Sequence, residues 1–450
     1  MSPETLQRYA DRPLPRYTSY PTAPHFSPDV DAEVYGEWLG ALPSVDPVSL
    51  YFHVPFCRSM CWYCGCHTTI TARDEPIARY LDALHGEIGL VEGTVPRRAR
   101  VAHVHFGGGT PTLMKPDQFV ALMDRLRDAF DFAADAEVAI EIDPRTLDSA
   151  MIAALAHGGV TRASLGVQSF DPAVQRAINR VQSFGQTAAC TQGLRRAGVA
   201  AINFDLIYGL PHQDVESCLE TVRQAVTLAP DRFAVFGYAH VPAFKLHQRK
   251  IDEAALPGGA ERHDQSEAIA GPLAAAGYVR IGLDHFARPD DPLARAFAEG
   301  GLHRNFQGYT TDPCETLIGF GASSIGRLPQ GYVQNAVLIG EYQRRIAEGR
   351  FAASRGRPFE RDDRLRAAVI ERIMCDFQVD LGAVCRAFGA DPDELAGASP
   401  GLAELVEQGV AIRDRNVVAL AGDARPLVRV LAAAFDAYLG SGPARHSRAV

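Results

Sequence analysis

Ten residues of this 450-residue chain, Cys57-Arg58-Ser59-Met60-Cys61-Trp62-Tyr63-Cys64-Gly65-Cys66, hold four of its nine cysteines. They follow an apolar stretch, Leu50-Tyr51-Phe52-His53-Val54, closed by Pro55, so the run is expected on a loop just past a strand. Thiols gathered on one loop are soft ligands able to converge on a metal centre. Three readings compete. Incidental thiols are the weakest, because free cysteine packs singly in cores. Structural zinc usually draws on two cysteine pairs a dozen or more residues apart, and here only His53 and His67 flank the run. An iron–sulfur cluster held by Cys57, Cys61 and Cys64, spaced Cys-x3-Cys-x2-Cys, would leave one iron open to a further ligand.

Other residues could face the same centre. Phe106-Gly107-Gly108-Gly109-Thr110-Pro111 follows a second strand. Three glycines allow a tight turn and bring backbone groups close to a ligand. The turn lacks the Gly-Lys-Ser/Thr of a P-loop and the spacing of a dinucleotide fingerprint. Glu141 and Asp143 close a third strand, Gln168 ends a fourth, and Asp205 lies in a fifth. Each alone reads as a cap or a loop ion pair, but as a set they can converge. Residues 284–289 and 303–311 are polar and aromatic without a packing period; they are long polar loops or a site in which Arg288 and Arg304 pair with carboxylates. Gly319-x-Gly321-x-x-Ser324 lacks the βαβ surroundings of a dinucleotide loop.

The elements that must position these residues alternate. Strands are expected at 49–54, 101–106, 137–142, 162–167, 201–206 and 232–238, with helices at 77–91, 116–130, 149–157, 186–197 and 215–229 between them. A helix near 260–276 and a strand near 279–283 extend the series. Repeated βα units give a parallel sheet with outer helices, and about six in a row suggest a barrel or partial barrel with ligands at the strands' carboxyl ends. The pattern changes after Pro358: helices at 364–377, 380–388 and 402–408, a hairpin at 409–420, a final helix at 426–439 and a disordered end at 440–450. Residues 1–46 are rich in Pro and Tyr and therefore extended. Composition favours a loosely ordered arm; the alternative folds over a pocket and offers its tyrosines and Arg16 to a ligand.

A net charge of −9 excludes a generally basic nucleic-acid-binding face but leaves room for a locally basic pocket. No apolar run is long enough for a membrane span, and residues 1–15 contain no signal core. The cytoplasm is the default expectation, and the five scattered cysteines suit a reducing compartment.

The cysteine spacing, with Tyr63 before the last ligand, resembles the radical S-adenosylmethionine (SAM) superfamily. Added motifs are Arg16-Tyr17-Thr18-Ser19-Tyr20-Pro21-Thr22, Gly-Gly-Gly-Thr-Pro-Thr, Gly166-Val167-Gln168-Ser169-Phe170, Asp205-Leu206-Ile207-Tyr208-Gly209-Leu210-Pro211 and the two polar segments. With these, residues 15–440 or so resemble the oxygen-independent coproporphyrinogen III oxidases. The related haem chaperones share the barrel but lack the arm, and Gly65-Cys66 also favours the oxidases.

The resemblance implies an α/β fold: a radical-SAM partial (β/α)6 TIM-like barrel at 47–350, an N-terminal arm at 1–46 over the active site, and a mostly helical C-terminal domain at 358–450. It implies a [4Fe-4S] cluster on Cys57, Cys61 and Cys64, with Cys66 not a ligand. It implies two SAM molecules. Tyr51, Gly107, Glu141 and Ile325 match contacts to the cluster-bound one; Tyr63, Gly108, Gly109, Gln168, Arg180, Asp205 and Ala239 match contacts to the second. No side chain is assigned a catalytic role, because a 5′-deoxyadenosyl radical does the chemistry. The implied reaction decarboxylates two propionates of coproporphyrinogen III to vinyls. It needs an external one-electron reductant and an acceptor that the sequence does not identify. A monomer is expected.

Overall fold

The computed structural model describes residues 5, 8, 9, 12–43, 46–422 and 424–440. Of the expected disordered end, 440–450, Gly440 is described and residues 441–450 lie outside. Six parallel strands follow in chain order: β1 (Val48–Val54), β2 (Arg100–Gly108), β3 (Asp131–Ile142), β4 (Arg162–Gln168), β5 (Ala201–Tyr208) and β6 (Arg232–Gly237). Strand β1 is buried at every position but Tyr51, as expected of a strand covered on both faces. Its Phe52 stacks between Phe106 of β2 and Phe320, with ring centroids 5.0 and 4.6 Å away. Helices cross over outside the sheet. The first, α1 (Glu75–Thr94), buries Ile77, Tyr80, Leu81, Leu84, Ile88 and Val91 along one helical stripe. The helix Phe184–Arg196 starts at Ser183, whose side chain accepts the Gln186 amide; Asp214 caps Val215–Thr227 on the Ser217 amide in the same way.

The sheet has twelve strands, and its other members differ from the sequence expectation. The strand near 279–283 is β7 (Val279–Ile281), which does not continue the parallel series. It pairs antiparallel with β8 (His285–Ala287), itself antiparallel to β6, and ends the sheet. The other side holds an unanticipated seventh parallel strand, β9 (Thr316–Phe320), beside β1, then an antiparallel run of β10 (Ile325–Leu328), β11 (Gly331–Asn335) and β12 (Ala353–Pro358). The barrel is therefore partial. Gly319 and Gly321 belong to a β9–β10 hairpin and not to a dinucleotide loop.

The C-terminal region is mainly helical, led by α2 (Arg361–Asp376). Its hairpin, Ala411–Asp414 with Val417–Leu420, gains a third strand, Gln378–Asp380. The expected final helix is shortened to Val428–Ala433 after a 3-10 turn. The arm is packed, against the compositional expectation. Tyr9, Leu14, Tyr17 and Tyr20 are buried in one apolar cluster with Ile370, Ile373 and Leu431. Tyr17 Oη donates to Asp436 at 3.0 Å, and Arg429 donates to the Pro15 carbonyl at 3.0 Å. Tyrosine rings bury large apolar area while their hydroxyls find partners, which a composition count of Pro and Tyr does not capture. Among the described residues no helix is long and apolar enough to cross a membrane.

Candidate functional site

The cysteine loop leaves β1 at its carboxyl end and is pinned along its backbone. Phe56–Cys57 pairs with Thr69–Ile70. Asn179 Nδ2 donates to the Met60 carbonyl at 2.8 Å, and Trp62 N to the Ile178 carbonyl at 2.9 Å. His247 Nε2 donates to the Cys64 carbonyl at 2.7 Å, Gln248 Nε2 to the Tyr63 carbonyl at 3.0 Å, and Lys245 Nζ to the Cys66 carbonyl at 3.0 Å. A loop fixed at this many points holds its sulfurs in place before any ligand arrives.

The glycine turn lies against that loop. Gly109 N donates to the Val54 carbonyl and Thr110 N to the Phe56 carbonyl, at 2.9 and 2.7 Å. A Cβ on Gly109 would lie 2.5 Å from the Phe56 oxygen, so only glycine permits this approach. Gly108 has φ +109°, and a Cβ there would meet the His53 ring at 2.7 Å. Burial lowers the pKa of His53. It donates from Nε2 to the His67 carbonyl and accepts the Tyr51 hydroxyl at Nδ1, both at 3.0 Å.

Carboxylates at the strand ends complete the rim. Glu141 accepts the Gly108 amide at 3.1 Å and lies 3.4 Å from His105 Nε2, whose ring stacks on Tyr51. Asp143 pairs with Arg145 at 2.6 Å and with Arg180 at 3.2 Å. Burial raises its pKa, but hydrogen bonding from Arg145 and the charges of Arg180 and Arg145 hold it below the usual carboxylate range. Both guanidiniums also reach Cys61 Sγ, at 3.5 and 3.6 Å. Burial lowers the pKa of Arg180, but Tyr63, Asp143 and Cys61 outweigh it and the net shift is upward. Asp205 accepts from Asn203 Nδ2 at 2.8 Å and Ser164 Oγ at 3.0 Å, yet burial first, then Glu141, push its pKa up to about 7.

The thiols are not equivalent. A hydrogen bond from Cys66 lowers the Cys64 pKa to about 7 against the effect of burial, while Cys66 is held well above the ordinary thiol value. Burial pushes Cys57 up to about 11. Soft thiols on one loop suit an iron–sulfur cluster. Two buried polar atoms beside them, Gln168 Oε1 and Arg180 Nε, have no partner in the protein, as a site built for a polar cofactor requires.

The structure brings the sequence-selected residues together. Tyr51, Gly107, Gly108, Gly109, Glu141, Gln168 and Asp205 stand at or near successive strand ends, and Arg180 and Tyr63 meet at Cys61. Gln248 ties the Tyr63 carbonyl to that of Ala239, at 3.0 and 3.2 Å. Ile325 starts β10 opposite Gly319, the residue in register with Tyr51. Arg145, His105, His247 and Gln248 were missed by sequence reasoning. Arg145 carried one signal, its place two residues after Asp143 at a strand end. Arg288 does not join the site; its guanidinium lies over the Tyr278 ring.

Next to Ala239 a cavity of about 590 Å³ opens beneath the arm. Five arginines line it (Arg16, Arg262, Arg280, Arg304 and Arg429) against two carboxylates, Glu253 and Asp284. Burial, then the neighbouring charges of Arg16 and Arg304, lower the Arg429 pKa to about 9. The buried Nε and Nη1 of Arg304 have no protein partner.

Comparison with known proteins agrees with this geometry. Residues 51–225 match the radical SAM superfamily model. The chain is 60% identical over 442 residues to the oxygen-independent coproporphyrinogen III oxidase of Bradyrhizobium diazoefficiens, covering 98% of both chains. It is 44% identical to that of Paracoccus denitrificans, covering 95% of both. It superposes with a TM-score of 0.90 on the structure of coproporphyrinogen III oxidase from Escherichia coli, a radical SAM enzyme, at 38% identity over 94% of this chain and 97% of that one. The chain therefore belongs to the oxygen-independent coproporphyrinogen III oxidase family of the radical SAM superfamily.

Proposed function

We propose that this protein converts two propionate side chains of coproporphyrinogen III to vinyl groups, giving protoporphyrinogen IX without oxygen in haem biosynthesis. Beyond family membership, the observation that carries this reading is the cavity of five guanidiniums in a chain of net charge −9. The substrate bears four carboxylates, and the planar fork of arginine pairs with a carboxylate through two parallel hydrogen bonds. In the cavity Arg16 comes from the arm, Arg304 from the polar segment after β8, and Arg429 from the C-terminal region. All three parts of the chain therefore wall the substrate site.

When bound, a [4Fe-4S] cluster and SAM supply a primary carbon radical, the kind of reagent needed to remove a non-acidic propionate β hydrogen. Cys57, Cys61 and Cys64 would hold the cluster, with Arg145 and Arg180 neutralising part of the thiolate charge at Cys61. Tyr51, Gly107, Glu141 and Ile325 would contact the SAM on the cluster. A second SAM would contact Tyr63, Gly108, Gly109, Gln168, Arg180, Asp205 and Ala239. The unpartnered Gln168 Oε1 and Arg180 Nε support that assignment. Holding the substrate β carbon next to the reacting carbon is the main task of the protein. The chain is read as an arm (1–46), a barrel (47–350) and a C-terminal domain (358–450), acting as a cytoplasmic monomer with an external one-electron donor and a separate acceptor.

The test is an anaerobic assay with SAM, dithionite and coproporphyrinogen III, followed by product mass. Loss of two carbon dioxide units with formation of 5′-deoxyadenosine is expected from wild type and absent from Cys61→Ser. Haem transfer without decarboxylation would overturn the reading.

A further inference from the structure

A second cavity, of about 280 Å³, lies against the arm at Tyr17–Tyr20. Arg304 lines both this chamber and the arginine-rich cavity described above, so the two adjoin at that residue. A further space of about 160 Å³ continues the chamber along Thr18, Arg304, Arg327 and Tyr332.

The two cavities differ in kind. The first presents five guanidiniums. The chamber is walled mainly by apolar and aromatic side chains: Leu328 of β10, Tyr332 of β11, Ala368 and Ile370 of α2, and Phe359 and Phe388. Tyr332 meets Phe359 edge to face, with ring centroids 4.9 Å apart. Two cations, Arg327 and Arg364, stand exposed at its rim. Arg364 lies over the Phe359 ring at 5.5 Å and donates to the Pro329 carbonyl at 2.5 Å, two residues from Arg327. Among the described residues Arg327 makes no side-chain hydrogen bond or ion pair. Two of the carboxylates are engaged. Asp363 accepts the Tyr438 hydroxyl at 2.6 Å and the Glu360 amide at 3.0 Å. Glu371 accepts the Arg304 amide and pairs with His303, both at 3.3 Å. That leaves the exposed Glu315 to oppose Arg304, Arg327 and Arg364. Mainly apolar walls with a few placed charges are the usual make-up of a small-molecule site.

We infer that this chamber binds the product, an amphipathic tetrapyrrole with two carboxylates, as it leaves the arginine cavity. The inference rests on the reaction proposed above, which replaces two carboxylates by two vinyls. In protoporphyrinogen IX both vinyls lie on one half of the macrocycle and both propionates on the other. Each carboxylate lost removes a charge-assisted contact and weakens the hold of the first cavity about tenfold or more. The vinyl half gains instead from burial against aromatic and aliphatic walls. The chamber has about half the volume of the first cavity, room for half of the ring system. The vinyl half enters it, and the propionates stay at the rim with Arg327 and Arg364. Arg304, with Nε and Nη1 unpartnered, is available to a carboxylate from either cavity.

The test uses the full-length, cluster-loaded protein under anaerobic conditions. The fluorescent probes are protoporphyrin IX and coproporphyrin III, the stable oxidised forms of product and substrate. Wild type should bind protoporphyrin IX at a site from which saturating coproporphyrin III does not displace it. Ala368→Trp fills the chamber from α2 and should raise the Kd at that site about tenfold or more. Arg327→Ala removes an exposed cation without a protein partner, so folding is not at issue, and should do the same. Both variants should keep the wild-type KM for coproporphyrinogen III and wild-type cleavage of SAM. Complete displacement by coproporphyrin III would overturn the inference, as would an unchanged Kd in both variants. So would a raised KM in both, which would assign the chamber to the substrate. Failure of wild type to decarboxylate coproporphyrinogen III would instead refute the reading of the reaction beneath it.

Discussion

Arg180 and Asp143 meet at 3.2 Å over the barrel mouth, and the same guanidinium reaches Cys61 Sγ at 3.6 Å and the Gly166 carbonyl at 2.6 Å. One planar cation thus ties the cysteine loop to the ends of two strands. Lysine keeps the charge but loses the fork. Arg180→Lys should retain wild-type iron and sulfide content while 5′-deoxyadenosine formation falls on the order of 100-fold, the scale of a misplaced reacting group. Anaerobic reconstitution followed by metal, sulfide and nucleoside analysis checks both halves.

The raised pKa of Asp205, about 7 against an ordinary 3.8, makes stability depend on pH in a defined direction. Between those values the folded chain keeps a proton that the unfolded chain releases. That contribution is complete below the unfolded value and is lost as pH rises through the folded one. Asp205→Asn cannot ionise. Wild type should therefore lose more of its urea midpoint than Asp205→Asn between about pH 5 and about pH 8. Parallel losses would remove Asp205 as the source.

Glu87 of α1 is buried and accepts three hydrogen bonds, from Gly321 N at 2.7 Å, Asn335 Nδ2 at 2.7 Å and Tyr342 Oη at 2.8 Å. It supports the turn that leads from β9 into Ile325. Glu87→Ala strands the Gly321 amide and the Tyr342 hydroxyl, each costing about 1–3 kcal/mol when unsatisfied, while Asn335 Nδ2 keeps the Gly321 carbonyl and Ser324 Oγ. Equilibrium unfolding should show a loss of about 3 kcal/mol or more, without any change in the distant cavity arginines.

If the cavity holds substrate carboxylates, removing one guanidinium removes one charge-assisted contact, worth about 1.5–3 kcal/mol. Arg16→Ala and Arg304→Ala should each raise the KM for coproporphyrinogen III about tenfold or more. Cleavage of SAM in the absence of substrate should stay at the wild-type rate. Steady-state kinetics with both readouts distinguishes this from a general loss of folding.

The six parallel strands and their helices were legible because apolar runs such as Leu50–Val54 alternate with amphipathic segments and turn signals. The Gly107–Gly109 turn was legible because three glycines exceed what a plain crossover needs. Strand β9 was not. Its five residues, Thr-Leu-Ile-Gly-Phe, lie far along the chain from β1, and no local pattern announces a long-range pairing. The supports of the cysteine loop were hidden for a related reason. His247, Gln248 and Asn179 act on backbone carbonyls, so nothing in the sequence of the loop asks for them. The packed arm was obscured because its partners lie at the opposite end of the sequence.

That last pairing bears on how the molecule is made. Tyr17 finds Asp436 across a separation of 419 residues, and Arg429 grips the carbonyl of Pro15. A ribosome must deliver nearly the whole polypeptide before these contacts exist, whereas the strands and crossovers of the barrel can assemble as they emerge. The nascent protein therefore passes through a stage with its barrel formed and its arm undocked, an interval in which the arginine-lined cavity stands open before the two ends of the chain close over it.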